Sequence, residues 1–218
     1  MTPRLPQHAI TKNRVKIQNA ALYLFTRKGF HGTTVREIAT RAGVSMGNLY
    51  TYYDTKEEIF IDLVNLLGRK METLRQRELL PLMETLDSDS LRTLAQSIGR
   101  IVRDNLDYWR LMYIDVVEFR HKHFIHSFRE IAGGLRTYAG AVIRNSKVDF
   151  PPGVDPSLAY TAIYLQFFTY FLTEELFRAK RHLGMSDDEV IEQLILLYTG
   201  GRSIPDTKAT AVRQRRKK

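Results

Sequence analysis

Residues 33–59, TTVREIATRAGVSMGNLYTYYDTKEEI, carry so many helix start and stop signals that they leave the backbone little choice. Thr34 is followed three residues later by Glu37, the capping-box spacing in which hydroxyl and carboxylate satisfy each other's unpaired backbone donors. Ile38, Ala39 and Ala42 then give a short helix one apolar face. Gly43 stands where a left-handed C-terminal residue is needed, and Val44 is apolar enough to plug the turn. Ser45 suits the cap of a second helix carrying Met46, Gly47, Asn48, Leu49, Tyr50, Thr51, Tyr52 and Tyr53. Thr55 and Glu58 repeat the capping-box spacing and open a third helix.

Two short helices joined by a tight glycine turn form the helix-turn-helix pattern, whose second helix lies in the DNA major groove. Leu49 is its core anchor, while Met46, Gly47, Asn48, Thr51 and Tyr52 can point away from the core. Asn can bond adenine bidentately, and Thr or Met methyl groups can touch a thymine methyl. Thr33, Tyr50, Tyr53 and Lys56 flank this helix and suit phosphates, which position without reading sequence. With the cap residues Thr34 and Ser45 they complete the expected DNA-contacting set.

The run Ala21–Phe60, ALYLFTRKGFHGTTVREIATRAGVSMGNLYTYYDTKEEIF, resembles the DNA-binding domain of the TetR family of transcriptional regulators. The elements LF..KGF, TTVREIA..AGVS.G.LY.YY and KEE come in the family's order, over about a fifth of the chain. Met46 departs from the pattern, because many relatives carry a basic residue there.

Charge is distributed unevenly over the 218 residues. Residues 1–56 carry +7 and residues 208–218 carry +6, which leaves −4 for residues 57–207 out of the overall +9. A basic module beside a mildly acidic body favours polyanion binding through the module alone. Cysteine is absent, which excludes disulfides and cysteine–zinc sites and is compatible with a reducing compartment. The first ten residues have no apolar h-region, and the expected location is cytoplasmic. Residues 156–173 carry no charge but fall short of the ~20 predominantly apolar residues a membrane span needs.

Taken in order, residues 1–12 read as a loose arm from which Arg4 and Lys12 could reach phosphates. A first helix is expected from Asn13, with Ile17, Ala20, Ala21, Leu24 and Phe25 at amphipathic spacing; Gly29 ends it and Phe30 packs past that end. The third helix of the motif should run from Lys56 to about Leu79, stopped by Pro81. Leu94, Ile98, Ile101, Val102 and Leu106 share one apolar face. Further stretches hold Trp109 to Phe119 and Phe124 to Val142, and residues 148–156 form a proline-rich loop. From Ser157 to about Leu172 the chain is apolar almost all round, so that helix must be covered on every side. Ser186 and Glu189 open a last helix that Gly200 and Gly201 end. Gly133 and Gly134 are likewise helix punctuation.

The fold expected is all-α: an N-terminal three-helix helix-turn-helix DNA-binding domain and a larger helical ligand-binding and dimerisation domain. Its segments are a flexible arm at 1–12, the DNA-binding domain at 13–55, the ligand-binding and dimerisation domain at 56–204 and a basic tail at 205–218. The resemblance implies a homodimer paired through the last two helices and a pocket for a small-molecule effector among the middle ones. Trp109, Tyr113, Phe119, His123, Phe167 and Tyr170 are aromatic and sparsely polar, as pocket walls usually are. His121, His123 and His126 do not share one helical face, so no metal is expected. Neither a nucleophile constellation nor a phosphate-cradling glycine loop is present, and neither catalysis nor a cofactor is expected. Two functions stay open: a repressor released from a palindromic operator by its effector, and a ligand-independent or architectural DNA-binding protein relying on the basic ends.

Overall fold

A computed structural model describes residues 7–83, 87–125 and 153–199, with positions 129, 133 and 137. The arm before Gln7, most of the Phe124–Val142 stretch with His126 and Gly134, most of the proline-rich loop, Gly200–Gly201 and the basic tail lie outside the described residues. Among the described residues there is no strand. Nor is any helix there long and apolar enough to cross a membrane.

The helices are α1 (Gln7–Lys28), α2 (Val35–Ala42), α3 (Met46–Tyr50), α4 (Lys56–Leu74), α5 (Ser88–Asp104), α6 (Leu106–Glu118), α7 (Pro156–Leu176) and α8 (Asp187–Thr199). They divide into two compact units. The first takes the described residues up to Thr73 together with those from Asn105 to Gly133, so α6 joins α1–α4. The second takes Leu74–Asp104 and the described residues beyond Gly134.

In the first unit Ile17, Phe25, Ile38, Leu49, Ile59 and Phe60 are buried in one core, with Leu111 and Phe124 contributed from beyond residue 105. Helix α1 starts six residues before Asn13, because residues 7–12 continue the helix without an apolar stripe to announce it. Helix α4 ends as an α-helix at Leu74 and passes into a π-helical turn, Arg75–Leu79, then a 3-10 turn, Leu80–Met83. Pro81 therefore does not stop a helix at Leu79. It sits early in the 3-10 turn, where its missing N–H is not required.

In the second unit α5 packs on α7 and α8, and Leu94, Ile98 and Val102 on α5 are buried, as are Phe167 and Phe171 on α7 and Ile191 on α8. Gly99 is the close-approach point: a Cβ there would lie 2.8 Å from the Phe171 ring. Arg92 holds Glu192 through Nε at 2.6 Å and Nη2 at 3.0 Å, tying α5 to α8. Leu106 does not extend the α5 face as its spacing suggested, because Asn105 breaks the helix and Leu106 opens α6. The Asp155 side chain caps α7 ahead of Pro156 by accepting the Ser157 N–H at 2.7 Å. Ser186 and Glu189 close both bonds of the expected capping box before α8.

Candidate nucleic-acid interface

Helix α2 is locked at both ends by local chemistry. The Thr34 hydroxyl accepts the Glu37 N–H at 3.2 Å, and Glu37 Oε2 accepts the Thr34 N–H at 2.9 Å. Lys28 donates to the same carboxylate at 2.6 Å; this bond, then those from Thr34, holds the Glu37 carboxyl down at about 2. At the other end Gly43 takes φ 66°, and the Val44 N–H returns to the Ala39 carbonyl at 3.1 Å, a Schellman closure. The chain then re-enters helix at once. The Ser45 hydroxyl accepts the Asn48 N–H at 3.1 Å, and Leu49 is buried beneath α3.

Helix α3 is short, five residues, with Thr51 as its C-cap. Ser45, Gly47, Tyr50 and Thr51 are exposed, and Met46 and Asn48 are half-buried. Thr34 is also exposed. The exposed and half-buried residues of α3 and its two caps make up its presented edge.

Thr33, Lys56 and Tyr53, three of the residues expected at phosphates, have hydrogen-bond partners within the first unit. Thr33 is buried and its hydroxyl donates to the Gly29 carbonyl at 2.8 Å. The Lys56 ammonium donates to the carbonyls of Phe30 and Thr33, each at 2.6 Å, and stands 4.1 Å from the Phe30 ring centre; burial lowers its pKa. Tyr53 is buried, with its hydroxyl donating to Asp62, and burial followed by that carboxylate pushes it up to about 12. Tyr52 likewise turns its hydroxyl inward, where it meets no hydrogen-bond partner among the described residues. The second capping box is displaced by one residue: Thr55 accepts the Glu58 N–H, but the Glu58 carboxylate takes the Asp54 N–H at 2.8 Å.

The edge is held against α1 and α4 by a polar bolt. Arg14 meets Asp62 through Nε at 3.1 Å and Nη2 at 2.7 Å, and Gln18 donates to the same carboxylate at 2.8 Å. Burial alone would raise the Asp62 carboxyl; the bonds from Tyr53, Arg14 and Gln18 outweigh it and hold the group below its ordinary value. One residue before Arg14, Asn13 donates through Nδ2 to Oδ1 of Asn48 at 3.3 Å.

A second attachment fixes the α1–α2 corner. Glu118, the last residue of α6, accepts the N–H of Phe30 at 3.0 Å and of His31 at 2.7 Å. Phe119 packs on Phe30 and Phe60 with ring centres 4.5 and 4.8 Å apart, and His123 stands 5.7 Å from Phe60. Lys122 reaches Glu57 at 2.7 Å. The buried Asp115 carboxylate shapes the intervening turn by accepting the N–H groups of His123 and Phe124.

The residues expected at a pocket fall in both units. Phe119 and His123 are cemented to the aromatic core of the head, and Trp109 is buried against Tyr108. In the other unit Phe167 is fully buried, and the Tyr170 hydroxyl donates to Asp187 at 3.0 Å. Tyr113, 40% exposed, is the member of the set with its ring at the surface. Among the described residues no group of three or more His, Asp or Glu side chains is placed to hold a metal.

Residues 17–63 match the family model of bacterial regulatory proteins, tetR family. The transcriptional regulator RutR of Escherichia coli (strain K12) is 43% identical over 53 residues, 24% of this chain and 25% of that protein. QacR of Staphylococcus aureus (strain Mu50) is 35% identical over 63 residues, 29% of this chain and 34% of that protein. The chain thus aligns with well under two thirds of the length of these relatives. Among solved structures, FadR from Bacillus subtilis in complex with stearoyl-CoA has a TM-score of 0.58 at 20% identity, over 86% of this chain and 98% of that one. Salmonella enterica GusR has a TM-score of 0.60 at 15% identity, over 85% of this chain and 94% of that one. At these identities the likeness shows a shared fold.

Proposed function

Since this chain belongs to the tetR family of bacterial regulatory proteins through the domain at residues 17–63, we propose that it is a sequence-specific transcriptional repressor, released from a palindromic operator by a small-molecule effector. The observation that carries this reading is the presented edge of α3. It is capped at Ser45, anchored by Leu49 and lined by Ser45, Met46, Gly47, Asn48, Tyr50 and Thr51; Thr34, also exposed, caps α2. Small and amide groups there approach base edges, and the hydroxyls suit phosphates.

A single five-residue helix reads few bases, so useful specificity calls for two copies on two half-sites one helical turn or a multiple apart. Helices α7 and α8 supply a surface for that pairing. Leu158 and Leu165 lie two turns apart on α7 and are exposed, as are Leu196 and Leu197 on α8. An effector that favours a dimer whose heads misfit the operator weakens DNA binding by the coupling free energy, typically about 1–3 kcal/mol, or roughly 5–150-fold. Within the first unit, Glu118 gives α6 a direct grip on the α1–α2 corner, so displacement of α6 is felt by the head.

The test is selection of sites from a random duplex pool by the purified protein at near-physiological salt, where electrostatic binding is suppressed. A recovered palindrome supports the repressor reading. Binding without a motif, lost as salt rises, supports the architectural alternative, which the six basic residues at 208–218 favour. With an operator in hand, stearoyl-CoA is the first effector to titrate, because a neighbour in fold binds it.

A further inference from the structure

We propose that Asn13, on α1 and outside the helix-turn-helix, sets the specificity of the recognition helix by fixing which end of the Asn48 amide faces the DNA. The proposal rests on the reading of α3 as the groove-binding helix.

An amide side chain is ambiguous as a reader. Its oxygen accepts from adenine N6 or cytosine N4, and its NH2 donates to guanine O6 and N7 or thymine O4, so a free Asn that can swing over serves several bases. Asn48 has lost that freedom. Its N–H is taken by the Ser45 hydroxyl at 3.1 Å. Its carbonyl accepts from the Thr51 hydroxyl at 2.6 Å and from the Thr51 N–H at 3.2 Å. With the backbone pinned on both sides, side-chain rotation is the remaining variable, and Asn13 Nδ2 restrains it by donating to Oδ1 at 3.3 Å.

The helix that carries the donor is held in place. Arg14, the next residue, meets both oxygens of Asp62 on α4, and Gln18, one turn later, meets the same carboxylate. Two side chains on successive turns of α1 thus fix the rotation and height of the helix that presents Asn13. Both Asn13 and Asn48 are half-buried, which limits competition from water for the bond between them.

With the oxygen engaged by Asn13, the end of Asn48 left to the groove is its NH2. The base facing it is therefore one that presents an acceptor in the major groove, guanine or thymine, rather than the adenine an unconstrained Asn would favour. Asn13 touches no base in this scheme. It is a positioning residue, and its signature is a change in which base is chosen.

The experiment selects operators from a random pool with the full-length protein and with N48A, N13A and N13D, each checked for folding by its thermal transition. N48A identifies the half-site position that Asn48 reads. At that position the wild type is expected to select guanine or thymine, and N13A to lose the preference while keeping the rest of the motif. In N13D the new carboxylate only accepts, so it draws the Asn48 NH2 inward and turns the oxygen to the groove; adenine or cytosine is then expected. A uniform fall in affinity from the added charge does not mimic a swap of bases at one position. Failure of the wild type to yield any motif rejects the groove-reading helix itself. A wild-type motif that N13A and N13D leave unchanged at the Asn48 position, or one in which N48A alters no position, overturns the role of Asn13.

Discussion

At the scale of single residues, two glycines of similar backbone carry unequal burdens. Gly29 and Gly43 both adopt left-handed conformations, φ 78° and 66°, each ending a helix of the head. A Cβ at Gly43 meets nothing within 4 Å, whereas one at Gly29 would lie 2.5 Å from Oε1 of Glu118. Gly43→Ala is expected to cost about 1 kcal/mol, the conformational term alone. Gly29→Ala should cost that and also push the carboxylate off the Phe30 and His31 amides. Urea unfolding of G29A, G43A, E118A and G29A/E118A checks this. The double mutant should fall short of the sum of its singles, since both remove the same contact, and strict additivity would refute the clash. Asp62 makes a different residue-scale prediction. Its folded pKa lies below its ordinary value of 3.8, so its bonds contribute fully above that pH and are lost as pH falls through the folded pKa. Glu37, held at about 2, acts in the same direction over a window reaching down to that pH. Asp62→Asn should lower stability at neutral pH and flatten the acid limb of a stability-versus-pH curve. An unchanged slope below pH 4 would show that the bolt carries no linked proton.

At the scale of elements, what the sequence revealed and what it hid separate by distance along the chain. The Thr34–Glu37 and Ser186–Glu189 boxes, the Gly43 stop and the Ser45 cap were legible because each is complete within a few residues. The grip of Glu118 on Phe30 and His31 joins positions 88 and 87 residues apart, and no local pattern marks it. The partners of Lys56 are hidden for the same reason. A lysine beside a recognition helix suits a phosphate, and only the folded loop shows that two carbonyls already hold its ammonium. Phe119 and His123 read as pocket residues from composition, and only the fold shows that their rings also stand against Phe60. Pro81 is not what ends α4, which leaves α-helical geometry at Arg75. Removing the α6 attachment tests the element directly. Glu118→Ala should cost about 1–2 kcal/mol, as the Phe30 donor loses a charged acceptor while the exposed His31 amide turns to water. It should also speed hydrogen exchange at those two amides while leaving α3 protected. Exchange unchanged at Phe30 and His31 would mean that the corner holds itself.

At the scale of the whole molecule, the question is whether the apolar surface of α7 and α8 is a pairing face or ordinary exposed leucine. Isolated apolar residues at the surface need no explanation, but a contiguous group does. On α7, Leu158 (67% exposed), Ala162, Leu165 and Thr169 follow one another at helical spacing, all exposed and none charged. On α8, Gln193, Leu196 and Leu197 (73% exposed) repeat the pattern. The opposite faces of both helices are occupied within the unit, through Tyr160, Ile163 and Phe167 on one and Val190, Ile191 and Ile195 on the other. A charge placed on the outer face should therefore leave the unit's own core intact. The double substitution Leu158→Asp/Leu197→Asp is expected to retain the helical circular dichroism of the wild type and to sediment as a monomer where the wild type sediments as a dimer. Because linked heads convert the second half-site contact into an intramolecular event, operator affinity should fall by about 10²-fold or more, and binding to an isolated half-site should hardly change. That second measurement separates lost pairing from a damaged head, which would weaken both. A wild type that sediments as a monomer, or a double variant that stays dimeric with full operator affinity, would remove α7 and α8 from the interface.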